Sequence, residues 1–242
     1  MARSNWDIVV GKIVSSTSQG GSWEVVTFVP TDIAGCLLWL RSDLGITKDG
    51  SDKVSQWADQ SGNSNHASQS TDSKKPIWTA NQLNSNPSLI FTNTSQQYLS
   101  LVSNISLNAL TCFVVWKASN AGGLVFGGAN GDGFYRYTST NIRLRTAANE
   151  TYAQFTVTNL GNYSIIVVHR NADSAFFTLR QNGVEKATDD AVVGNMNTDY
   201  IGYRDGFYLN GGIVECGLYN SNIGSTNIST LENYLNGRYA IY

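Results

Sequence analysis

Charged side chains are scarce in this sequence. Lys, Arg, Asp and Glu make up 14% of the 242 residues, and the formal net charge is −2, whereas an average soluble domain is about 25% charged. Proteins that bind nucleic acid displace counterions with a basic patch. The composition provides no such patch, so we expect no nucleic-acid partner. The polar surface must come from uncharged residues, chiefly 25 Asn, 26 Ser and 20 Thr.

Long apolar runs and complete cysteine pairs are missing as well. No run approaches the roughly 18 apolar residues of a membrane-spanning helix, so we expect no membrane insertion. The first seven residues contain no apolar core of signal-peptide length, which favours synthesis in a cytoplasm without export. The three cysteines, Cys36, Cys112 and Cys216, cannot all pair within one chain. Each lies in an apolar segment, where a free thiol packs as a small hydrophobic side chain.

Most apolar segments are short and rich in β-branched and aromatic residues, as strands are. The clearest are 23–29, 36–41, 110–116, 163–169 and 175–180. Asn182-Gly183 predicts a hairpin turn, because both residues tolerate a positive φ. Many short strands separated by turn residues predict an antiparallel sandwich or barrel, and this length can bury a core without disulfides or metal. We expect Trp39 and Trp116 to be core residues that bind no ligand.

One segment near the C-terminus has the period of a helix. Ile228, Leu231 and Leu235 fall on a single helical face. Ser229 and Glu232 have the spacing of a capping box, which would start the helix there or a turn earlier.

The first thirty residues differ from the rest of the chain. Segments 8–14 and 23–29 have the composition of two strands, and Pro30 interrupts the pattern that follows. We interpret residues 1–30 as a separate β arm; the alternative is an extra hairpin of the sandwich in 31–242. An isolated hairpin is only marginally stable in water, so an arm needs a partner surface. The residues expected to anchor it are Trp6, Ile8, Val10, Ile13, Trp23, Val25 and Phe28.

A set of motifs spans most of the chain. It includes 38–43 (LWLRSD), 57–67 (WADQSGNSNHA), 212–220 (GIVECGLYN) and 231–239 (LENYLNGRY). With these motifs, residues 35–242 resemble the laminin-G-like, concanavalin-A-like jelly-roll modules of phage structural and bacterial surface proteins. The resemblance implies an all-β, two-sheet antiparallel jelly-roll sandwich with one C-terminal helix, beside the N-terminal β arm. It implies no activity, because this fold hosts lectins, glycanases and structural modules alike.

The groups that a glycanase or a serine hydrolase needs are not arranged for catalysis. Retaining glycoside hydrolysis uses two carboxyl groups about 5 Å apart, and the nearest candidates, Asp189 and Asp190, lie in a polar turn. His66 and His169 have no Gly-x-Ser-x-Gly elbow to serve. We therefore predict that the protein is not an enzyme and has no catalytic residues.

Calcium is the one cofactor that the resemblance suggests. Related modules often hold Ca²⁺ with Asp, Asn and carbonyl oxygens, and Asp59, Asn63 and Asn65 are the matching residues. The alternative is that these side chains only hydrogen-bond the turn backbone. Val214 stands where the resembling strand usually carries Asp, which removes one acidic ligand. The next residue, Glu215, must be paired if it points inward.

Exposed aromatic rings beside polar side chains would suit a sugar. Tyr135 and Tyr137 follow one Gly-rich turn, and Tyr203, Asp205 and Tyr208 surround another. These five residues are the candidate glycan platform, and the alternative is packing or cross-strand pairing.

Taken together, these features favour a structural protein of the virion surface, either a capsid decoration or a tail appendage. Its arm would bind a capsid or tail protein by strand addition or by forming a homo-oligomer, with a trimer favoured. The jelly roll would face solvent, where it would protect the shell or touch a host glycan. The alternative is a carbohydrate-binding host adhesin, followed by a polysaccharide-degrading enzyme.

Overall fold

A computed structural model describes residues 12–15, 24–119, 123–146, 152–172, 174–186 and 192–242, with the backbone alone for 12–15 and 24–26. The first strands along the chain are β1 (Lys12–Ser15), β2 (Glu24–Thr27), β3 (Cys36–Arg41), β4 (Ile46–Lys48), β5 (Val54–Trp57), β6 (Ala67–Ser68), β7 (Ile77–Leu83), β8 (Asn86–Phe91), β9 (Leu99–Leu107), β10 (Leu110–Ala118) and β11 (Leu124–Gly127). The remaining elements are β12 (Gly133–Arg136), β13 (Asn141–Arg145), β14 (Tyr152–Thr156), β15 (Ser164–Arg170), β16 (Thr178–Gln181), β17 (Val184–Lys186), β18 (Met196–Ile201), β19 (Tyr203–Arg204), β20 (Phe207–Tyr208), β21 (Gly211–Tyr219) and the helix α1 (Gly224–Tyr239).

Two large antiparallel sheets pack into a sandwich. The eight-stranded sheet has the order β17-β16-β15-β10-β21-β8-β7, with β3 also paired to β21. The nine-stranded sheet has the order β14-β13-β12-β11-β18-β9-β6-β5-β4. Two short pairs, β1-β2 and β19-β20, form no strand pairing with either of these sheets. The all-β sandwich with one C-terminal helix that the sequence predicts is confirmed for the described part of the chain.

The eight-stranded sheet is covered on both of its faces. Along β10, Cys112, Val114 and Trp116 belong to the core between the two sheets. The alternate residues Phe113 and Val115 belong to a second apolar layer, between this sheet and α1. Since successive side chains of a strand point to opposite faces, a strand buried on both sides is apolar throughout, which is why 110–116 shows no alternation of polar and apolar residues.

Helix α1 lies on the outer face of the eight-stranded sheet. Its apolar residues Ile228, Leu231 and Leu235 are buried there, as their spacing predicts. The predicted capping box is wrong, because the helix begins at Gly224, before Ser229. Glu232 instead accepts hydrogen bonds from Arg180 Nε and Nη2 at 2.9 and 3.0 Å, which tie the helix to β16.

Other local predictions are confirmed. Trp116 is fully buried, and Trp39 is 5% exposed in the layer beneath α1. Asn182 and Gly183 have φ values of 50° and 76° and connect β16 to β17. All three cysteines are free thiols, and burial raises the pKa of the half-buried Cys36 to about 12. No helix among the described residues is long and apolar enough to cross a membrane.

The N-terminal strands pair with each other. Within the described chain, neither β1 nor β2 joins a strand of the sandwich. Phe28, one of the predicted anchor residues, packs on the sandwich instead, with its ring centroid 5.6 Å from that of Tyr234 on α1. Ile13 and Val25 lie on β1 and β2. The anchor residues that lie outside the described residues are Trp6, Ile8, Val10 and Trp23. The division of the chain at residue 30 stays a prediction.

Candidate functional site

The outer face of the nine-stranded sheet is the surface that carries most of the predicted site residues. Phe126, Phe134 and Leu144 are cross-strand neighbours on its inner face and are buried in the core. The next row across the same strands, Gly127, Gly133 and Arg145, therefore points outward. The helix of the described chain covers the outer face of the eight-stranded sheet, so it does not cover the outer face of the nine-stranded sheet.

The hairpin β19-β20 lies directly on this outer face. A Cβ atom at Gly127 would be 2.0 Å from the carbonyl oxygen of Tyr203, and one at Gly133 would be 3.0 Å from Cδ of Arg204. Glycine at these two positions is what lets the hairpin approach the sheet. Asp205 and Gly206, with φ values of 44° and 81°, form the two-residue turn between the strands.

The two faces of this hairpin carry different chemistry. Tyr203 is the cross-strand partner of Tyr208, and Arg204 is the partner of Phe207. Because alternate residues of a strand point in opposite directions, the tyrosines lie on one face and the Arg204–Phe207 pair on the other.

Four half-buried tyrosines meet on the first of these faces. This tyrosine cluster consists of Tyr98, Tyr200, Tyr203 and Tyr208. The ring centroids of Tyr203 lie 5.0 Å from Tyr200, 4.9 Å from Tyr208 and 5.3 Å from Tyr98. Partial burial raises the pKa of Tyr200 and of Tyr208 above the ordinary value, so both hydroxyls stay protonated at neutral pH and can donate hydrogen bonds.

Polar groups surround the tyrosine cluster. Lys74 Nζ lies 5.8 Å from the ring centroid of Tyr98. Asp199, next to Tyr200 in the chain, accepts hydrogen bonds from Asn104 Nδ2 at 2.9 Å and from the backbone N–H of Ala129 at 2.8 Å. The cluster is therefore an aromatic centre with a cation on one side and a fixed carboxylate on another.

The predicted platform residues divide into separate groups. Tyr203 and Tyr208 come together in the tyrosine cluster, and Asp205 is exposed at the turn beside them. Tyr135 is only 7% exposed, because the guanidinium of Arg204 lies 4.3 Å from its ring centroid. Tyr137 is exposed but belongs to a different stack of side chains.

Tyr137 forms a stack with Arg143 and Tyr152. The guanidinium carbon of Arg143 lies 3.2 Å from the ring centroid of Tyr137 and 3.5 Å from that of Tyr152. Its Nε donates to Gln154 Oε1 at 2.8 Å. The rings and the amide together fix this arginine in place.

The three predicted calcium ligands lie together beside β3. Asp59 Oδ1 accepts hydrogen bonds from the backbone N–H groups of Trp39 and Ser61, both at 2.9 Å, and Oδ2 accepts from the N–H of Asn65 at 3.0 Å. The side-chain amides of Asn63 and Asn65 donate to the carbonyl oxygens of residues 36 and 37 at 2.9 and 2.8 Å. These bonds fasten the turn to the strand. The described residues contain no group of three His, Cys, Asp or Glu side chains placed to hold a metal, and calcium at this turn stays a prediction.

Comparisons with known proteins yield structural neighbours only. No family model matches the chain, and no curated protein is similar to it. Among solved structures, the receptor-binding domain of botulinum neurotoxin D has a TM-score of 0.52 and 12% identity, over 82% of this chain and 52% of that one. A Trypanosoma rangeli sialidase has a TM-score of 0.51 and 14% identity, over 84% of this chain and 33% of that one. The CBM40 domain of a Ruminococcus gnavus sialidase, bound to α2,3-sialyllactose, has a TM-score of 0.39 and 17% identity, over 52% of this chain and 82% of that one.

The chain shares a β-sandwich fold with the first two of these structures. At such identities the similarity concerns the fold alone. The chain spans about half the length of the toxin domain and a third of the sialidase. None of the three is described as a phage protein or a laminin-G-like module, so this finer part of the resemblance stays a prediction.

Proposed function

We propose that this chain is a non-catalytic, glycan-binding β-sandwich module and that the tyrosine cluster is its binding surface. The observation that carries the proposal is the convergence of four half-buried rings, with centroids 4.9–6.3 Å apart, on an outer sheet face. Ligand sites combine aromatic walls with a few polar groups that fix orientation. Sugars match this surface, because their C–H faces pack on rings while their hydroxyls bond the phenols and the polar rim.

Packing alone accounts less well for the tyrosine cluster. Cross-strand aromatic pairs do stabilise sheets, and Tyr203–Tyr208 is one such pair. Tyr98 and Tyr200, however, lie on other strands or loops, and a cluster with a purely structural role would be expected to bury its rings in the core. The similar toxin domain is described as receptor-binding, which is the type of role proposed for this chain.

The positions of three buried acids, Glu232, Asp59 and Glu215, support a binding role over catalysis. Glu232 is paired with Arg180, Asp59 holds a turn, and Glu215 accepts hydrogen bonds from an indole and two phenols. Each has a structural partner, and none faces the tyrosine cluster. His66 is similarly occupied, since its Nδ1 accepts the backbone N–H of Asp59 at 3.0 Å.

Tyr203→Ala is expected to weaken glycan binding by about 10-fold or more. Tyr203 contacts every other ring of the tyrosine cluster. Each aromatic contact contributes about 0.5–1.5 kcal/mol beyond the area that it buries. A broad glycan array identifies the ligand, and calorimetric titration then measures its affinity for the wild type, Tyr203→Ala and Tyr208→Ala. Tyr242→Ala, a 52% exposed tyrosine on the other side of the sandwich, is the matched control. Wild-type affinity in both cluster variants would reject this surface, and an array without any bound glycan would reject the function.

The self-paired hairpin β1-β2 favours a second role. Among the described strands the hairpin pairs with no third strand, and an unpaired strand edge suits anchoring by strand addition. We therefore also propose that the chain is a virion surface protein, held on a capsid or tail protein by this arm, with the sandwich displayed outward. A homotrimer would supply the partner surface in the same way.

Removing residues 1–27 tests the anchoring role. Phe28 must be kept, because it packs on Tyr234 of α1. The truncated chain should keep its cooperative unfolding and lose both oligomerisation, measured by sedimentation, and co-purification with native particles. A truncated chain that still oligomerises and still travels with particles would show that the arm is not the anchor.

A further inference from the structure

Two arginines lie at the face of the hairpin β19-β20 that is opposite to Tyr203 and Tyr208, beside the turn that joins β11 to β12. They are Arg145 on β13 and Arg204 on β19, and we call them, together with Asp132 of that turn, the arginine corner. Arg204 Nη1 donates to the carbonyl oxygen of Gly131 at 3.0 Å. A Cβ atom at Gly131 would lie 3.6 Å from Nη1 of Arg145, so both guanidinium groups approach the same residue.

The polar atoms of the arginine corner are not all satisfied by the protein. Nε of Arg145, Nε of Arg204 and Oδ1 of Asp132 are buried and have no hydrogen-bond partner among the described residues. Arg204 is 6% exposed and Asp132 is completely buried. The second oxygen of Asp132 is occupied, since it accepts the backbone N–H of Asn197 at 2.8 Å. Unpaired buried donors and acceptors are costly and therefore rare in folded proteins.

Neither arginine of the arginine corner forms an ion pair with an acid of the described residues. Among the described residues, no carboxylate lies within 4.0 Å of the guanidinium nitrogens of Arg145 or Arg204. Asp205 is the nearest exposed acid, with Oδ2 4.0 Å from the Cβ position at Gly131. Arg143, two residues from Arg145, is held by two rings and Gln154, whereas none of the described residues bonds Nε of Arg145.

We infer that the arginine corner recognises the anionic group of an acidic sugar. Guanidinium forks match the geometry of carboxylates and of similar oxyanions, and the exposed Asp205, whose Oδ2 lies 4.0 Å from the Cβ position at Gly131, is the acceptor at the mouth of the arginine corner for a hydroxyl of the same sugar. The inference rests on the proposed glycan-binding function and narrows it. Tyr203 and Arg204 lie on opposite faces of the hairpin, so a glycan that contacts both sites has to extend around the edge of the hairpin, with its acidic sugar at the arginine corner.

The test uses the full chain and matched oligosaccharides. Each neutral oligosaccharide bound on the array is compared with the same chain ending in a carboxylated sugar and with the same chain bearing a sulfate ester. Calorimetric titration in 50 and 300 mM NaCl measures the wild type, Arg145→Gln and Arg145→Lys. Lys117→Gln, which removes one positive charge from the other sheet, is the control, and thermal unfolding verifies that every variant is folded.

At least one acidic form should bind the wild type about 10- to 100-fold more tightly than the neutral form, as a charged hydrogen-bond pair would give. Arg145→Gln should lower the affinity for that acidic form to the affinity for the neutral form. Arg145→Lys should restore part of the preference for the acidic form, and Lys117→Gln should leave both affinities unchanged. A preference for only one acidic form distinguishes carboxylate from sulfate.

Two failures are distinguishable. Equal affinity for neutral and acidic forms, or an acid preference that survives Arg145→Gln, overturns the arginine corner and leaves the tyrosine cluster intact. An array without any bound glycan, acidic or neutral, overturns the proposed function and this inference together.

Discussion

Replacing Trp116 by alanine should lower the free energy of unfolding by about 3–5 kcal/mol. Trp116 is fully buried on the central strand β10, and its ring centroid lies 5.7 Å from that of Phe134 on the opposite sheet. Removal of the indole takes away this contact and leaves a cavity between the sheets. A domain of ordinary stability, about 5–15 kcal/mol, would be partly unfolded by such a loss.

Phenylalanine at the same position separates packing from hydrogen bonding. The indole nitrogen of Trp116 is buried and has no partner in the described part of the chain, so Trp116→Phe loses volume but no described hydrogen bond and should cost clearly less than Trp116→Ala. Chemical denaturation measures both variants, with Phe176→Ala, at a 57% exposed position, expected within about 0.5 kcal/mol of the wild type. If Trp116→Ala kept full stability and lost glycan binding, its assignment to the core would be wrong.

Elements defined by local rules could be predicted from the sequence. The hairpin at Asn182-Gly183, the apolar face of α1 and the burial of Trp116 each follow from a few neighbouring residues. The capping box could not, because Glu232, which has the capping-box spacing with Ser229, is used by Arg180 far away in the chain. A long-range ion pair therefore replaced the local interaction that the spacing suggested. The helix begins at Gly224, close to the earlier start that the sequence also allowed.

The candidate site was only half predictable for a similar reason. Tyr203 and Tyr208 are close in sequence and stand around a turn, so they could be singled out. Tyr98 joins them only through the pairing of β18 with β9, which no local pattern specifies. Arg145 and Arg204 each resemble ordinary surface arginines in the sequence. Their approach to one residue depends on Gly127 and Gly133, which let the hairpin lie on the sheet.

Glu215 is the acid that connects the sheet to the helix. It is completely buried on β21. Its Oε1 accepts hydrogen bonds from Trp39 Nε1 at 2.7 Å and Tyr234 Oη at 3.1 Å, and its Oε2 accepts from Tyr239 Oη. The pairing that the sequence analysis required for an inward-pointing acid is confirmed. Because two of the donors belong to α1 and the third to β3, this one side chain links three elements.

Glu215→Leu should destabilise the protein by about 2 kcal/mol or more, since it leaves the buried donors of Trp39 and Tyr239 without an acceptor at about 1–3 kcal/mol each. The half-buried phenol of Tyr234 loses the same acceptor. Denaturant unfolding measures the loss. Leucine fills a similar volume, so the change reports the missing acceptors more than a cavity. A loss below about 1 kcal/mol would show that the three donors find other partners.

The pH dependence of stability should also carry the signature of Glu215. Burial raises the pKa of this carboxyl above its ordinary value, although the hydrogen bonds from Tyr239 and Trp39 oppose the shift. The folded state therefore holds the proton more tightly than the unfolded state, whose pKa is about 4.3. The stability contributed by this group is complete below that pH and is lost as the pH rises through the folded pKa.

The experiment measures the difference between the unfolding free energies of the wild type and Glu215→Gln from about pH 3.5 upward. The other acids titrate in both proteins, so their contributions cancel in this difference. The wild type should lose stability relative to Glu215→Gln as the pH rises above about 4.3. Glu185→Gln, with a side chain 65% exposed on β17, should show no comparable trend. A difference in unfolding free energy that does not change with pH would mean that the three donors stabilise the carboxylate of Glu215 as well as water does. Burial at the junction of β21, β3 and α1 would then not destabilise the charged form.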